Sequence, residues 1–198
     1  MKILHLISSP RGAASFSRKL GNAIVEKLQE ENHDAQVKLH DLTNKPFPHL
    51  EEVHLNSFFT PAENFTPELA EAIKHSDEAI AELMDADIIV IDSPMYNFGI
   101  ASTLKSWIDH IARANKTFRY SEKGPEGLVK NKKVYLAIST GGVYSDGPMK
   151  AYDFTESYLR AVLGFMGMTN LTAYRVEGVN MPALKESALQ KAIDSIAL

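Results

Sequence analysis

Apolar residues follow two alternating patterns along this chain. Short unbroken runs alternate, from end to end, with stretches in which apolar residues recur every third or fourth position. A short run bounded by turn residues suits a buried strand, and the longer spacing suits a helix packed on it by one face. Five strands are predicted, roughly Lys2 to Ile7, Gln36 to Asp41, Asp87 to Asp92, Lys133 to Ser139 and Thr169 to Val176. The third and fourth read as continuous apolar runs, as central strands of a parallel sheet covered on both faces should.

The intervening helices have recognisable starts and faces. Leu20, Ile24 and Leu28 recur every four residues after a serine-rich start. Thr66 followed by Pro67 reads as a cap with proline in the first helical position, ahead of a stripe of Leu69, Ile73, Ile80 and Leu83. A third helix, about Ser102 to Ala114, would bury Leu104, Trp107, Ile108 and Ile111. A fourth carries Tyr158, Val162, Leu163 and Phe165, and a fifth runs from about Pro182 to the end with Leu184, Leu189, Ile193 and Ile196. Strands alternating with helices predict βαβ units. Five of each suit a flavodoxin-like, three-layer α/β/α fold, a single domain over 1–198 with a five-stranded parallel sheet in the order 2-1-3-4-5. A barrel would need about eight such units.

Composition narrows the function. With 44% hydrophobic and 23% charged residues the chain is far from the profile of disorder. A net charge of -4 and scattered Lys and Arg argue against a nucleic-acid surface. Cysteine is absent, which removes disulfides, thiolate metal sites and thiol nucleophiles. The seven histidines, among them His5, His33, His75 and His110, show no metal-ligand spacing, so no metal is expected. Strand-like Ile3 to Ile7 follows the first residues without a signal-peptide pattern, and no apolar run approaches a membrane span. No membrane partner and a cytoplasmic location are the expectations.

Candidate chemistry gathers where strands one, three and four end, because in open α/β sheets ligands bind at that edge. Strand three hands over to Ser93-Pro94-Met95-Tyr96-Asn97-Phe98-Gly99, a stiffened aromatic turn whose backbone N–H groups suit the heteroatoms of a flat, redox-active ring. A flavin is the leading expectation. Strand one is followed by Ser8-Ser9-Pro10-Arg11-Gly12-Ala13-Ala14-Ser15-Phe16-Ser17, where serines and a helix N-terminus suit a phosphate. Taken alone, that loop reads equally well as a helix cap. The chain lacks both Gly-x-x-x-x-Gly-Lys-Ser/Thr and Gly-x-Gly-x-x-Gly after strand one, so a P-loop nucleotidase and a dinucleotide fold are disfavoured. Strand four is followed by Ser139-Thr140-Gly141-Gly142-Val143-Tyr144, whose glycines allow close backbone approach. Tyr144 suits either a flavin hydrogen bond or packing. Two long connections, Leu42 to Phe65 and Asn115 to Asn131, are too aromatic for passive linkers.

At these residues the chain resembles the FMN-dependent NADH-azoreductases of the flavodoxin-like quinone reductase group. Pro94-Met95-Tyr96-Asn97-Phe98 is similar to that family's flavin loop. Thr117-Phe118-Arg119-Tyr120, Gly124-Pro125-Glu126-Gly127-Leu128 and Ala192-Ile193-Asp194-Ser195-Ile196 are similar to its other recurrent segments. The resemblance runs nearly end to end. It implies a homodimer with one FMN per subunit, contacted by Ser9, Ser15, Phe16, Ser17, Met95, Tyr96, Asn97, Phe98, Ser139, Thr140, Gly141 and Gly142. It also implies a substrate pocket lined by Phe118, Tyr120 and Phe165, partly across the dimer. Thr140 stands where relatives often have arginine, and Phe16 where a polar residue can occur.

The implied activity is a ping-pong, two-electron hydride transfer from NADH or NADPH through FMN to a quinone or an aromatic azo compound, the azo bond being cleaved to two amines. The chemistry lies on FMN, with no catalytic side chain. The rival from another class is a flavodoxin-type electron carrier without NADH oxidation, which the modest charge and the aromatic insertions suit poorly.

Overall fold

The computed structural model describes residues 1–198. Its main sheet is parallel and contains β1 (Lys2–Ile7), β2 (Gln36–Asp41), β3 (Ile88–Pro94), β6 (Lys133–Ser139) and β7 (Asn170–Val176), in the order β2-β1-β3-β6-β7. A separate antiparallel hairpin pairs β4 (Phe118–Ser121) with β5 (Gly124–Gly127). With the hairpin set aside, this is the flavodoxin-like order that the sequence predicts. The continuous apolar runs do lie at the centre: all of β3 is buried, whereas the edge strand β2 is exposed over its first four residues.

Seven helices follow in chain order: α1 (Phe16–Glu31), α2 (Glu52–Phe59), α3 (Pro67–Ala72), α4 (Lys74–Asp85), α5 (Ser102–Ile111), α6 (Phe154–Phe165) and α7 (Ala188–Asp194). Alternation along the strands sends neighbouring residues to opposite faces. Ile89 and Ile91 join Leu83, Trp107 and Leu163 in one core layer. Ile88 and Val90 join Leu20, Ile24 and Ala192 in the other. Trp107 is fully buried, a core residue as its place on the helix stripe indicates. No helix is long and apolar enough to cross a membrane.

Four boundaries differ from the sequence reading, each for a local reason. Strand three runs on through Ser93 and Pro94, which pair with Ile138 and Ser139; proline, which donates no ladder bond, takes the last position. The helix expected over the Leu69 to Leu83 stripe is divided at Ile73 into α3 and α4. The third helix stops at Ile111 because the Thr117 hydroxyl donates to the Ile111 carbonyl at 2.6 Å and accepts the Arg113 N–H at 3.1 Å. In the fifth, only Ala188–Asp194 is helical, after turns in which Leu184 and Lys185 bond back to Met181.

The two long connections are also structured. Leu42 to Phe65 contains α2, and Phe47 from it is buried in the core. Asn115 to Asn131 contains the β4–β5 hairpin, crossed by an Arg119–Glu126 ion pair at 2.7 Å.

Candidate functional site

The three predicted loops meet. A cavity of about 210 Å³ at the C-terminal edge of the sheet is lined by Ser9, Arg11, Ser15 and Phe16 after β1, by Pro94, Met95 and Tyr96 after β3, by Ser139, Thr140 and Gly141 after β6, and by Val179 and Asn180 after β7. Ser17 lies one layer behind, its hydroxyl 3.0 Å from that of Ser15. Asn97, Phe98 and Gly142 adjoin the wall in sequence without lining it. Phe118, Tyr120 and Phe165 cluster with one another instead, with the Phe118 ring 4.6 Å from Phe165 and 5.7 Å from Tyr120, and none of them lines this cavity.

Each loop leaves two of its backbone donors free. Tyr96 and Gly99 exchange both backbone hydrogen bonds, at 2.9 and 3.0 Å, which closes a two-residue turn with Asn97 at φ +49° and Phe98 at φ +70°. Two positive φ values define the I′ hairpin turn, which glycine and asparagine adopt easily and phenylalanine does not. A non-glycine residue there costs about 1–3 kcal/mol, so the surroundings must hold it. The N–H groups of Asn97 and Phe98 have no partner within the protein.

After β6 the carbonyls, not the amides, are occupied. Those of Thr140, Gly141 and Gly142 accept from Val179, Asn180 and Gly178 at 3.0 to 3.3 Å, and the Thr140 hydroxyl donates to the Gly142 carbonyl at 2.8 Å. The amides of Gly141 and Gly142 are left without acceptors. A Cβ at 141 would lie 2.7 Å from the side-chain Nδ2 of Asn180 and would displace that side chain from the wall. Tyr144 packs beside the loop: its ring would be 3.4 Å from a Cβ at Gly142 and is 6.4 Å from the Phe98 ring centroid.

In the first loop, Ser15 is the N-cap of α1 and accepts the Arg18 N–H at 3.3 Å. Both readings of this serine therefore meet in one residue, because the cap that starts the helix also presents the first-turn N–H groups of Phe16 and Ser17, which have no intrahelical acceptor. The Ser8 hydroxyl donates to the Asp92 carbonyl at 2.6 Å and ties this loop to β3.

Beneath the loops, Asp92 is fully buried with one carboxylate oxygen 2.9 Å from His5 Nε2 and the other without a partner. Burial pushes this carboxyl up to about 6, against the pull of His5. Gly21 of α1 makes room for it, since a Cβ there would stand 1.7 Å from the Asp92 oxygen. No group of three or more His, Asp or Glu side chains is arranged to hold a metal ion.

A model of the flavodoxin-like fold family matches residues 1–197. This chain belongs to the flavodoxin-like family. Among its relatives there, an FMN-dependent NADH:quinone oxidoreductase of Herminiimonas arsenicoxydans is 50% identical over 92% of this chain and 89% of its own length. Another of that name, from Mesorhizobium japonicum, is 44% identical over 97% of this chain and 92% of its own. The crystal structure of an azoreductase from Bacillus anthracis superposes with a TM-score of 0.91 at 31% identity, covering 98% of this chain and 95% of the other.

Within this flavodoxin-like chain, four residues of the cavity wall lie outside the expected contact set: Arg11, Pro94, Val179 and Asn180. Arg11 was in view as part of the serine loop but was given no role, although it brings a cation to the wall. Val179 and Asn180 fall in the connection between the fifth strand and the helix expected from about Pro182, to which the sequence reading gives no role. Gly178, at φ +73°, was the available signal that the chain turns back there toward Gly142.

Proposed function

We propose that this chain is an FMN-dependent NADH oxidoreductase that reduces quinones and aromatic azo compounds, and that it works as a homodimer in the cytoplasm. The observation that carries this reading is the cavity at which three loops converge with unpartnered backbone N–H groups beside Arg11 and the serines of α1. The names of the relatives support it, since the alignments span nearly the whole of both chains.

FMN suits this donor set. The serine hydroxyls, Arg11 and the first-turn amides of α1 match a phosphate monoester. Unpartnered amides on two other loops match the carbonyl and ring-nitrogen acceptors of a flavin. Bound FMN would supply the redox chemistry, taking a hydride from NADH and passing two electrons to a quinone or, in two rounds, four to an azo bond.

The chain's own residues bind and orient. The amides of Asn97 and Phe98 on one loop, and of Gly141 and Gly142 on another, are unpartnered and held by their own turns, so they would favour negative charge that develops within their reach. Fixing them in advance removes the reorganisation that free water would require. No side-chain nucleophile takes part.

Two features support the dimer. The cavity of about 210 Å³ falls short of the roughly 300–1,000 Å³ of ordinary small-molecule sites, so one chain supplies an incomplete pocket. Around the turn, Phe98, Tyr152 and Phe154 are exposed, with the rings of Phe98 and Tyr152 5.6 Å apart, an apolar surface that a second copy would cover.

Anaerobic titration of the FMN-loaded protein with NADH tests the activity. The expected result is bleaching of the visible flavin bands without any partner reductase, followed by recovery on adding a quinone or an azo dye. FMN that binds but stays oxidised under NADH would make this an electron carrier instead.

A further inference from the structure

The Asn97–Phe98 turn and the Gly141–Ser145 loop leave different strands, yet one partly buried cation connects them. Arg175 lies near the C-terminal end of β7 and meets three carboxylates. Its Nη2 donates to Asp153 at 2.7 Å, its Nη1 to Glu156 at 2.6 Å and its Nε to Glu177 at 3.3 Å. The Arg175, Asp153 and Glu177 side chains are only 12%, 10% and 15% exposed, so these contacts are little screened by water.

Two of these carboxylates hold backbone with their remaining capacity. Glu177 accepts the N–H groups of Tyr144 at 2.8 Å and Ser145 at 2.9 Å, and also the Ser145 hydroxyl. Asp153 caps α6 by accepting from Thr155 at 2.9 Å and Glu156 at 3.2 Å. The residue between, Phe154, donates its N–H to the carbonyl of Phe98 at 3.0 Å. A continuous path therefore runs from Tyr144 and Ser145 through Glu177, Arg175 and Asp153 to Phe154, and ends on the strained residue of the I′ turn. Phe98 needs such support, because a phenylalanine at positive φ persists only where its surroundings over-determine it.

We infer that Arg175 is a positioning residue: it sets the spacing between the Asn97–Phe98 turn and the Gly141–Ser145 loop, and thereby the affinity and reduction potential of the flavin seated between them. The second half of this statement rests on the FMN reading above, and the first half does not. Lysine cannot replace the arginine, because a single ammonium lacks the planar fork that reaches Asp153, Glu156 and Glu177 at once. Without the fork, a single ammonium cannot hold the three carboxylates in place together, and the nearby cations are Arg160, bound to Glu156 at 2.8 Å, and Lys150, which lines the same surface cavity.

Two variants test this, Arg175→Lys and Glu177→Gln, the second nearly isosteric and retaining an acceptor for Tyr144 and Ser145. In the FMN-free protein, amide exchange of Tyr144, Ser145 and Phe154 should accelerate together, about tenfold or more in Arg175→Lys and less in Glu177→Gln, while Val90 in the central strand keeps its protection. With FMN, the Kd should rise about tenfold or more in Arg175→Lys, and the midpoint potential and visible circular dichroism of the bound flavin should shift.

Acceleration at Tyr144 and Ser145 with Phe154 unchanged in both variants would overturn the coupling. Acceleration at all three sites with FMN affinity within twofold of the parent and the midpoint potential unmoved would reduce Arg175 to a purely structural role. A parent protein that binds no FMN defeats the cofactor reading and the second half of the inference, and the exchange experiment still decides the first half.

Discussion

Two aromatic-rich segments of this chain look alike as sequence and do opposite things in the fold. After β3, Tyr96 is 37% exposed and Phe98 43%, beside the unpartnered amides of residues 97 and 98. Between β2 and α3, Phe47 is only 8% exposed, with the His40 and His110 rings 5.5 Å away and His75 at 6.0 Å. Two polar contacts tie this segment together: His110 Nε2 bonds the Pro48 carbonyl at 3.0 Å, and the Glu51 N–H donates to His54 Nδ1 at 3.1 Å. Aromatic content does not separate a ligand bed from a piece of core. Placement does: Phe47 is packed into the core layer under the sheet, whereas Tyr96 borders the cavity at the C-terminal edge, where the other two loops also bring unpartnered amides.

The comparison breaks most clearly at Phe47. Phe47→Ala should cost about 3–5 kcal/mol of stability, read from urea unfolding, through lost burial and the cavity left behind. FMN affinity should stay within twofold of the parent. A parallel collapse of FMN binding would show that the two segments are one functional unit.

The regions should also titrate in opposite senses. Burial of Asp92 raises its carboxyl to about 6, so the folded protein holds this proton more tightly than the unfolded chain does. Its contribution to stability is complete below about pH 4 and is lost as pH rises through about 6, by about 3 kcal/mol. His110 behaves in reverse. Burial lowers its pKa from 6.5, the Pro48 carbonyl opposes this, and His54 and His75 lower it further. Its contribution is present above pH 6.5 and is lost as pH falls through the depressed value. Unfolding midpoints measured from pH 4 to 8 should therefore lose their decline with rising pH in Asp92→Asn, and their acid-side loss in His110→Gln. If both variants track the parent, the contrast between the regions is not electrostatic.

A smaller effect sharpens the ligand side. Ser15 is the helix cap, so replacing it would mix capping with binding. Ser17→Ala isolates the hydroxyl behind it. The expected loss of FMN affinity is about 0.5–1.5 kcal/mol, the worth of the neutral hydrogen bond by which Ser17 orients the Ser15 hydroxyl. Unchanged affinity by fluorescence titration would remove Ser17 from the phosphate site.

Much of this was legible in the sequence, and the unevenness has physical causes. Runs such as Ile88 to Ile91 must be central strands, because only burial on both faces tolerates an unbroken apolar sequence. Serines at a helix start and paired glycines after a strand announce their backbone geometry locally. The β4–β5 hairpin was harder to see. Phe118–Ser121 is mostly exposed and Gly124–Gly127 carries glycine and proline, so neither shows the alternation that marks a strand. The helix α2 was obscured by its aromatic content, and its capping interaction, in which Glu51 pairs with His54, falls outside the usual Ser/Thr and Glu/Gln signature.

By itself the sequence determined the flavodoxin-like sheet, its central strands and the three loops that could meet at one edge, since periodicity, caps and glycines act within a few residues of where they are written. Only the tertiary structure decided which amides remain unpartnered, that Val179 and Asn180 complete the wall, and that Arg175 links the Phe98 turn to the Tyr144–Ser145 loop. Those outcomes depend on partners up to some tens of residues apart, and hydrogen bonding and ion pairing are settled by distance in space, which no local pattern encodes.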